Sequence, residues 1–177
     1  MPLKLKVNEA KSKVDRTSRR KFHGFRLLVT RREEKTNQVK IGIAPESIKK
    51  FKEQIKTLTS RTRGISLSEL IKQISRYMTG WIGYYGRIET PTVLQDLDSW
   101  IRRKIRCFQL KQWKKGSRRY EVLQKLGVPF SRAKQTAGSS KGLWRLSKCH
   151  AMQMGLSNKY FEELGLKSLT KFRRAVN

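Results

Sequence analysis

Acidic residues are scarce in this chain of 177 residues, with 13 Asp and Glu against 42 Lys and Arg. The resulting net charge of +29 destabilises a compact fold through self-repulsion, which favours a polyanionic partner. The basic residues are spread along the whole length instead of accompanying one apolar helix face. This spread favours nucleic acid over an anionic membrane surface as the partner.

Cysteines and long apolar runs are also lacking. Cys107 and Cys149 are too few and too far apart for a disulfide framework or a four-ligand zinc site. The longest apolar run, Leu27–Val29, is far shorter than the roughly 20 residues of a membrane-spanning helix. Lys4 and Lys6 interrupt the early apolar stretch, so no secretory signal is predicted. We therefore expect a cytoplasmic protein with no membrane partner, no metal site and no cofactor.

Groups that could carry catalysis are equally sparse. Asp96 and Asp98 are the nearest approach to a carboxylate pair, but two residues apart on a helix they point about 200° from each other. We expect them instead to stabilise the first turns of their helix through its dipole. Neither a phosphate-cradling loop nor a Rossmann glycine pattern is present. The residues therefore predict no catalysis by this chain alone.

The first 44 residues alternate in the manner of β-strands. Leu3–Val7, Phe22–Val29 and Val39–Ile43 each have the apolar and polar pattern of a strand, and the polar stretch Arg31–Gln38 suits a hairpin loop. Three such strands make the edge of a sheet and not a whole domain. We therefore expect this edge to need a partner.

From Pro45 onward the apolar spacing becomes helical. Pro45 suits the first turn of one helix, Ser66 with Glu69 forms a capping box for a second, and Thr90 with Pro91 predicts the start of a third. The predicted buried positions are Ile48, Phe51, Ile55 and Leu58; Leu67, Leu70, Ile71, Ile74, Met78, Trp81, Ile82 and Tyr85; and Leu94, Leu97, Ile101, Ile105 and Phe108. Gly80 and Gly83 in the second helix predict close approach of a neighbouring helix or of a nucleic-acid strand.

Shorter elements follow. Helices are predicted over Tyr120–Leu126, Ser131–Ala137 and Ser157–Glu163, with a loop at Gly138–Gly142 and a last turn at Ser168–Arg174. The expected fold class is mostly α, with short amino-terminal β-strands followed by a helical bundle and short carboxy-terminal helices.

The densest positive stretch lies on and after the third helix. Between Ile101 and Tyr120 there are nine basic residues and no acidic one. At 100° per residue, Arg102, Arg103 and Arg106 fall opposite the apolar side of that helix, and so does Trp113. A contact with nucleic acid or a second domain and plain packing are equally open for Trp113. Basic side chains would bind phosphates, and exposed rings would stack on unpaired bases.

Several segments, taken in order, match a known pattern. KLKVNEAKSKV at 4–14 and KFHGFRL at 21–27 resemble the end of the palm in bacterial group II intron-encoded reverse transcriptases. Residues 43–55 and 63–115, with Trp100-Ile101-Arg102-Arg103 and Lys111-Gln112-Trp113-Lys114, resemble their thumb, also called domain X or the maturase-specific region. LGVP at 126–129, GLWRLSKCHAM at 142–152 and LSNKYFEELGLKSL at 156–169 resemble their carboxy-terminal part.

The resemblance implies three parts: an end-of-palm strand segment at 1–44, a helical thumb at 45–120 and a small nucleic-acid-binding extension at 121–177. Members of the family polymerise DNA on an RNA template and help their intron to fold and splice. The sequence holds no Ala-Asp-Asp of the catalytic palm motif, so polymerisation does not carry over. The resemblance therefore implies an RNA-binding, maturase-type protein whose partners are group II intron RNA and a template–primer duplex or target DNA.

Basic and aromatic residues are the candidate nucleic-acid contacts. Lys11 matches a lysine of the palm's late motif, and the segment around Trp144 and Arg145 would be a secondary contact, with target DNA as a candidate. The full set is Lys11, Arg61, Arg63, Tyr84, Arg87, Arg102, Arg103, Arg106, Lys111, Trp113, Lys114, Lys115, Arg118, Arg119 and Arg145.

Two other functions remain open. The chain could be half of a split reverse transcriptase that needs a separate fingers–palm polypeptide, and only that partner would bring Mg²⁺. It could also be a basic protein that coats any nucleic acid, with a salt dependence set by phosphate contacts alone.

Overall fold

The computed structural model describes residues 21–31, 37–60 and 62–171, and within these ranges three strands precede eight helices. The mostly helical fold class is thereby confirmed. The predicted strand Leu3–Val7 and the end of the predicted turn Ser168–Arg174 lie outside the described residues, and the part of that turn within them is helical from Leu169.

The strands form one antiparallel sheet in the order β1 (Lys21–Phe22), β2 (Phe25–Arg31) and β3 (Asn37–Ile43). The prediction of an unbroken strand over Phe22–Val29 is wrong. His23 and Gly24 have φ angles of 47° and 81°, so the chain reverses between β1 and β2. A two-residue turn with positive φ at both positions joins strands in this way.

Gly24 fixes the sheet to the helices. Its carbonyl oxygen accepts a hydrogen bond of 3.1 Å from Ser47 Oγ, and a side chain at Gly24 would collide with the hydroxyl of Tyr85. The neighbouring Tyr84 hydroxyl donates a 2.9 Å hydrogen bond to the carbonyl oxygen of His23. The turn of the sheet therefore rests directly on the second helix.

The first two helices begin and pack much as the sequence predicts. Helix α1 runs over Pro45–Leu58 and buries Phe51 and Ile55, whereas helix α2 runs over Leu67–Tyr85. Ser66 Oγ accepts the backbone N–H of Glu69 at 3.2 Å, which confirms the predicted cap. The buried residues of α2 are Leu70, Ile71, Ile74, Ser75, Met78, Ile82 and Tyr85, with Leu67 and Trp81 partly buried.

Helix α2 has an open surface at its two glycines. Space around Gly80 and Gly83 is free, because a Cβ placed on either would meet no atom within 4 Å apart from the neighbouring residues and backbone of the helix itself. The predicted close approach of a neighbouring helix is therefore wrong. The alternative, a nucleic-acid strand at this surface, stays a prediction.

Helix α3 runs over Pro91–Gln112 and is the longest of the described helices. The predicted apolar stripe is confirmed, since Leu94, Leu97, Ile101, Ile105 and Phe108 are all buried. Asp98, Arg106 and Cys107 are buried as well, so α3 is covered on more than one side. Asp96 and Asp98 lie beyond the first turn, so their predicted interaction with the helix dipole is wrong.

Asp98 instead binds the carboxy-terminal segment. Its carboxylate is 4% exposed and accepts hydrogen bonds from Ser168 Oγ at 2.7 Å and from the backbone N–H of Leu169 at 2.9 Å. Thr170 donates its N–H at 3.2 Å and its hydroxyl at 3.0 Å to the same carboxylate. A side chain of α3 thus caps the turn that begins at Leu169.

Five short helices follow α3. They are α4 (Gly116–Lys125), α5 (Phe130–Ala137), α6 (Leu143–Leu146), α7 (His150–Gly155) and α8 (Asn158–Glu163). Helix α4 begins four residues before the predicted Tyr120, and it runs across residues 120 and 121, between which the predicted thumb ends and the predicted extension begins. The sequence predicted α5 and α8 but neither α6 nor α7. Ser157 caps α8 by accepting the N–H of Tyr160 at 3.2 Å.

Candidate nucleic-acid interface

Two tryptophans and three cations meet at the outer side of α3. The guanidinium carbon of Arg103 lies 3.8 Å from the ring centre of Trp144, and Lys104 Nζ lies 5.1 Å from the same ring. Lys104 Nζ is also 5.6 Å from the ring centre of Trp100, and Lys52 Nζ of α1 is 5.7 Å from it. We call these five residues the tryptophan–cation cluster. Such contacts orient cations over ring faces.

The cluster draws on three helices. Trp100, Arg103 and Lys104 are neighbours on α3, since they occupy positions i, i+3 and i+4. Trp144 comes from α6 and is 40% exposed, and Lys52 comes from α1. Lys104 belongs to the dense positive stretch of the sequence, but the set of candidate contacts names none of Lys52, Trp100 and Lys104. Helical spacing was a signal for the two on α3, whereas nothing local indicates Lys52.

Arg102 and Arg103 are half-buried on this side of α3. Arg103 Nη2 donates to the carbonyl oxygen of Trp144 at 2.9 Å, and Arg102 Nη2 donates to Ser99 Oγ at 3.4 Å. Neither guanidinium pairs with an acidic residue within 21–31, 37–60 or 62–171. Both therefore keep their charge available to an anion.

Arg106 is not on an exposed face, and its predicted position is wrong. Its side chain is 7% exposed, Nε donates to the carbonyl oxygen of Leu156 at 2.9 Å, and its guanidinium lies 5.4 Å from the ring centre of Phe161. Burial, and then the charge of Arg102, lowers the pKa of Arg106 to about 10, against a smaller opposite effect of Cys149. The residues around α7 and α8 cover a side of α3 that helical spacing alone assigns to solvent.

Trp113 belongs to the hydrophobic core, so its predicted placement on the basic face is wrong. It is 6% exposed and lies among the buried core residues. As the residue that ends α3, it donates its N–H to the carbonyl oxygen of Gln109 at 3.1 Å. Lys114 follows with a φ of 45°, and the chain turns into α4. Of the alternatives open from the sequence, packing is the one that the structure shows.

The basic residues after α3 are divided in their exposure. Lys111, Lys114, Lys115 and Arg118 are exposed, and Arg119 is half-buried. Arg118 Nη1 lies 2.8 Å from Glu121 Oε2, so part of its charge is compensated. Arg119 Nη2 donates to the carbonyl oxygen of Lys114 at 3.4 Å. The three lysines are therefore the accessible cations at this end of α3.

Arg63 is placed as a link between helices. Its Nη1 donates to the carbonyl oxygen of Leu58 at 2.9 Å, and its Nη2 donates to Gln73 Oε1 at 2.9 Å. These bonds join the end of α1 to α2, and the side chain is half-buried. Both terminal nitrogens of Arg63 therefore already have hydrogen-bond partners within the protein.

The other predicted contacts lie apart from the cluster or outside the description. Tyr84 is exposed and stacks on Phe25 with 5.5 Å between ring centres, and Arg87 is exposed near the end of α2. Arg145 is exposed on α6, beside Trp144 in the chain. Predictions for Lys11 and Arg61 lie outside the described residues.

Metal-ligand clusters, membrane-spanning helices and disulfides are absent from the described ranges. Within 21–31, 37–60 and 62–171, no three His, Cys, Asp or Glu side chains come together as metal ligands. No helix in the described part is long and apolar enough to cross a bilayer. Cys107 and Cys149 form no disulfide.

The helical centre of the chain matches a known family. Residues 48–127 match the family described as group II intron, maturase-specific domain. The matched range holds most of α1 and all of α2, α3 and α4, with four of the five cluster residues, whereas Trp144 lies beyond it. A search of curated proteins finds no match for the chain. Over residues 48–127 this chain is therefore similar to the group II intron maturase-specific domain.

Proposed function

We propose that this protein binds group II intron RNA and assists its folding and splicing, without polymerising DNA by itself. A maturase-specific domain implies maturase-type function and is not itself catalytic. In this proposal residues 1–44 are an end-of-palm segment, and residues 121–177 extend the nucleic-acid surface, with a template–primer duplex or target DNA as further ligands.

The tryptophan–cation cluster carries the proposal. It sets a tryptophan that is 40% exposed beside two cations on the helix at the centre of the matched domain. Basic side chains bind phosphates in any nucleic acid, whereas aromatic rings stack on unpaired bases. Structured RNA offers both groups at its loops and bulges. The cluster is therefore better suited to folded RNA than to plain duplex.

The exposed lysines extend this surface beyond the cluster. Lys111 lies seven residues after Lys104 on α3, which is two helical turns along the same side. Lys114 and Lys115 follow at the end of the helix, and all three are exposed. Cations along one side of a helix gain affinity for nucleic acid by releasing counterions.

A competition titration tests the proposal. Purified protein would be titrated into group II intron RNA at near-physiological salt, with an excess of unrelated structured RNA as competitor. We expect binding to survive the competitor and to increase the splicing rate of the intron. Binding that disappears into the competitor would instead show a non-specific polycation.

A charge-matched pair of variants locates the surface. In the first, Lys111, Lys114 and Lys115 are changed to Glu; in the second, the control, the exposed lysines Lys125, Lys159 and Lys171 are changed to Glu. Each control lysine pairs with a surface glutamate away from the cluster. We expect the first variant to lose intron binding by at least about tenfold relative to the second. Equal losses would mean that total charge, and not this surface, determines affinity.

The sheet favours a second candidate function, half of a split reverse transcriptase. Val29 pairs with Val39, and Leu27 with Ile41, so these side chains share one face of β2 and β3. Val29, Val39 and Ile41 are exposed. An exposed apolar sheet face is typical of a surface that binds another chain.

A reconstitution assay tests the second candidate. The chain would be mixed with a separately purified fingers–palm polypeptide of a group II intron reverse transcriptase and Mg²⁺, with an RNA template and a DNA primer. Primer extension by the mixture and by neither part alone would support it. Changing Val29 and Val39 to Lys should then abolish extension, whereas changing the exposed Thr57 and Gln54 of α1 to Lys should not.

A further inference from the structure

A cleft of about 360 Å³ lies between α3 and the carboxy-terminal helices. Arg102, Arg103 and Arg106 line it from α3, and Lys148, Gln153 and Asn158 line it from the other side. None of the side chains that line it is acidic. Four cations therefore face one half-open cleft that has no acidic side chain in its lining.

Arg106 is the buried part of this cleft. Only its Nε has a hydrogen-bond partner in the described ranges, the carbonyl oxygen of Leu156, and no carboxylate there pairs with it. A buried cation without a counter-ion is unfavourable, because desolvation is not offset by Coulomb attraction. The lowered pKa of Arg106 follows from this burial and from the nearby charge of Arg102.

The groups around Arg106 are held in place before any ligand binds. Arg103 is fixed by its bond to the carbonyl oxygen of Trp144 and by its position over that ring, 3.8 Å from the ring centre. Gln153 Nε2 donates to the carbonyl oxygen of Lys148 at 2.7 Å, which ties the backbone of the opposite wall. Arranged guanidinium groups bind phosphate through paired, charge-assisted hydrogen bonds.

We propose that this cleft is a phosphate-binding pocket that holds one phosphodiester of the bound RNA strand against Arg106, Arg102 and Lys148. The proposal rests on the proposed function, which it deepens by naming the ligand group and the residues that hold it. A phosphodiester supplies the counter-charge that the cleft lacks. Trp144 does not line the cleft, but its ring borders Arg103 of the cleft wall and is 40% exposed, so that a base of the same strand can stack on it.

Inorganic phosphate serves as the first probe, because it shares the chemistry of the phosphodiester. Thermal unfolding would be followed in sodium phosphate and in sodium chloride of equal ionic strength. We expect phosphate to raise the melting temperature of the wild-type protein by about 3 °C relative to chloride. The rise should disappear in Arg106→Met and shrink in Lys148→Met. It should be unchanged in the control Arg76→Met, whose exposed side chain lies on α2 outside the cleft.

Lys148→Met keeps the test decisive if Arg106→Met fails to fold. Lys148 is exposed, so its replacement spares the core. A phosphate-specific rise that is the same in Lys148→Met as in the wild type, or no rise in the wild type, would overturn the pocket.

RNA titrations distinguish a nucleic-acid strand from free phosphate. We expect Arg106→Met and Lys148→Met each to weaken intron RNA binding by about tenfold, and Arg76→Met to leave it unchanged. Phosphate stabilisation with unchanged RNA affinity in both variants would overturn the assignment to a strand and leave a pocket for free phosphate. Failure of the wild-type protein to prefer intron RNA over the competitor would instead contradict the proposed function. The phosphate pocket is tested separately from that function, because the phosphate measurement is made without RNA.

Discussion

Two sides of α3 carry different kinds of side chain, apolar on one and polar or charged on the other. Along one side the helix presents Leu94, Leu97, Ile101, Ile105 and Phe108, all buried in the hydrophobic core. Toward the carboxy-terminal helices it presents Asp98, Arg103 and Arg106, each hydrogen-bonded to a backbone group of that region. Apolar contacts tolerate small shifts, whereas hydrogen bonds to fixed backbone atoms have narrow geometry. The first side stabilises the domain, and the second positions charged groups.

Truncation on the apolar side should have the largest effect on stability. Ile105 is fully buried, so Ile105→Ala is expected to lower the free energy of unfolding by about 2–5 kcal/mol. Urea unfolding followed by circular dichroism measures this change. The graded control Ile105→Val should cost only about 0.5–1.5 kcal/mol. Equal losses in the two variants would contradict a cavity as the cause.

On the polar side, Asp98→Ala should lower the free energy of unfolding somewhat less than Ile105→Ala does, and its effect should be confined to the carboxy-terminal segment. Four hydrogen bonds to Ser168, Leu169 and Thr170 would be lost, for an expected cost of about 2–3 kcal/mol. Amide hydrogen exchange should show loss of protection at Leu169 and Thr170 before the apolar side opens. Asp96→Ala is the matched control, since Asp96 is exposed on the same helix. Uniform loss of protection across α3 would remove the distinction between its two sides.

Trp144→Ala should change binding more than stability, because Trp144 is 40% exposed. The loss of one stacked base contact corresponds to about 1–3 kcal/mol of affinity for partly unpaired RNA. RNA titrations and melting curves measure the two effects. Phe130→Ala on α5 is the control, as an exposed ring outside the cluster. A fall in melting temperature with unchanged affinity would assign Trp144 to packing alone.

The smallest expected effect concerns Glu121 on α4, the helix that follows α3 and belongs to neither of its two sides. Hydrogen bonds and charge from Arg118, and then from Lys125, lower the pKa of Glu121 from its usual 4.5. Because the folded-state pKa is the lower one, the stabilisation is present above pH 4.5 and is lost as the pH falls through the folded-state value. Glu121→Gln should therefore be less stable than the wild type at neutral pH, with a difference that vanishes in acid.

Unfolding measured between pH 7 and pH 3 checks this expectation. The control places Glu121→Gln in a background in which Arg118 and Lys125 are already Gln. There the substitution should have no pH-dependent effect. An effect that persists would assign the pH dependence to another group.

The sequence predicted what neighbouring residues determine. Ser66 with Glu69 located the start of α2, and the spacing of Leu94, Leu97 and Ile101 located the buried side of α3. These signals are local, because capping and helical periodicity depend on residues within one or two turns. Short helices such as α6 and α7 have too few residues for periodicity to show.

The errors arise where distant segments meet. Burial of Arg106 depends on Leu156 and Phe161, and the role of Asp98 depends on Ser168 and its neighbours. Nothing near either residue in the chain indicates these partners. The place of Lys52 in the tryptophan–cation cluster was missed for the same reason, because only tertiary packing brings this residue of α1 close to Trp100. Tertiary contact decided these positions.

Gly24 has a mechanical consequence. The turn at Gly24 is seated on the hydroxyl of Tyr85 and hydrogen-bonded to Ser47, and the Tyr84 hydroxyl holds the residue before it. The hairpin therefore cannot tilt without carrying the end of α2 with it. A force applied to β2 and β3 would therefore act first on Ser47 of α1 and on Tyr84 and Tyr85 of α2.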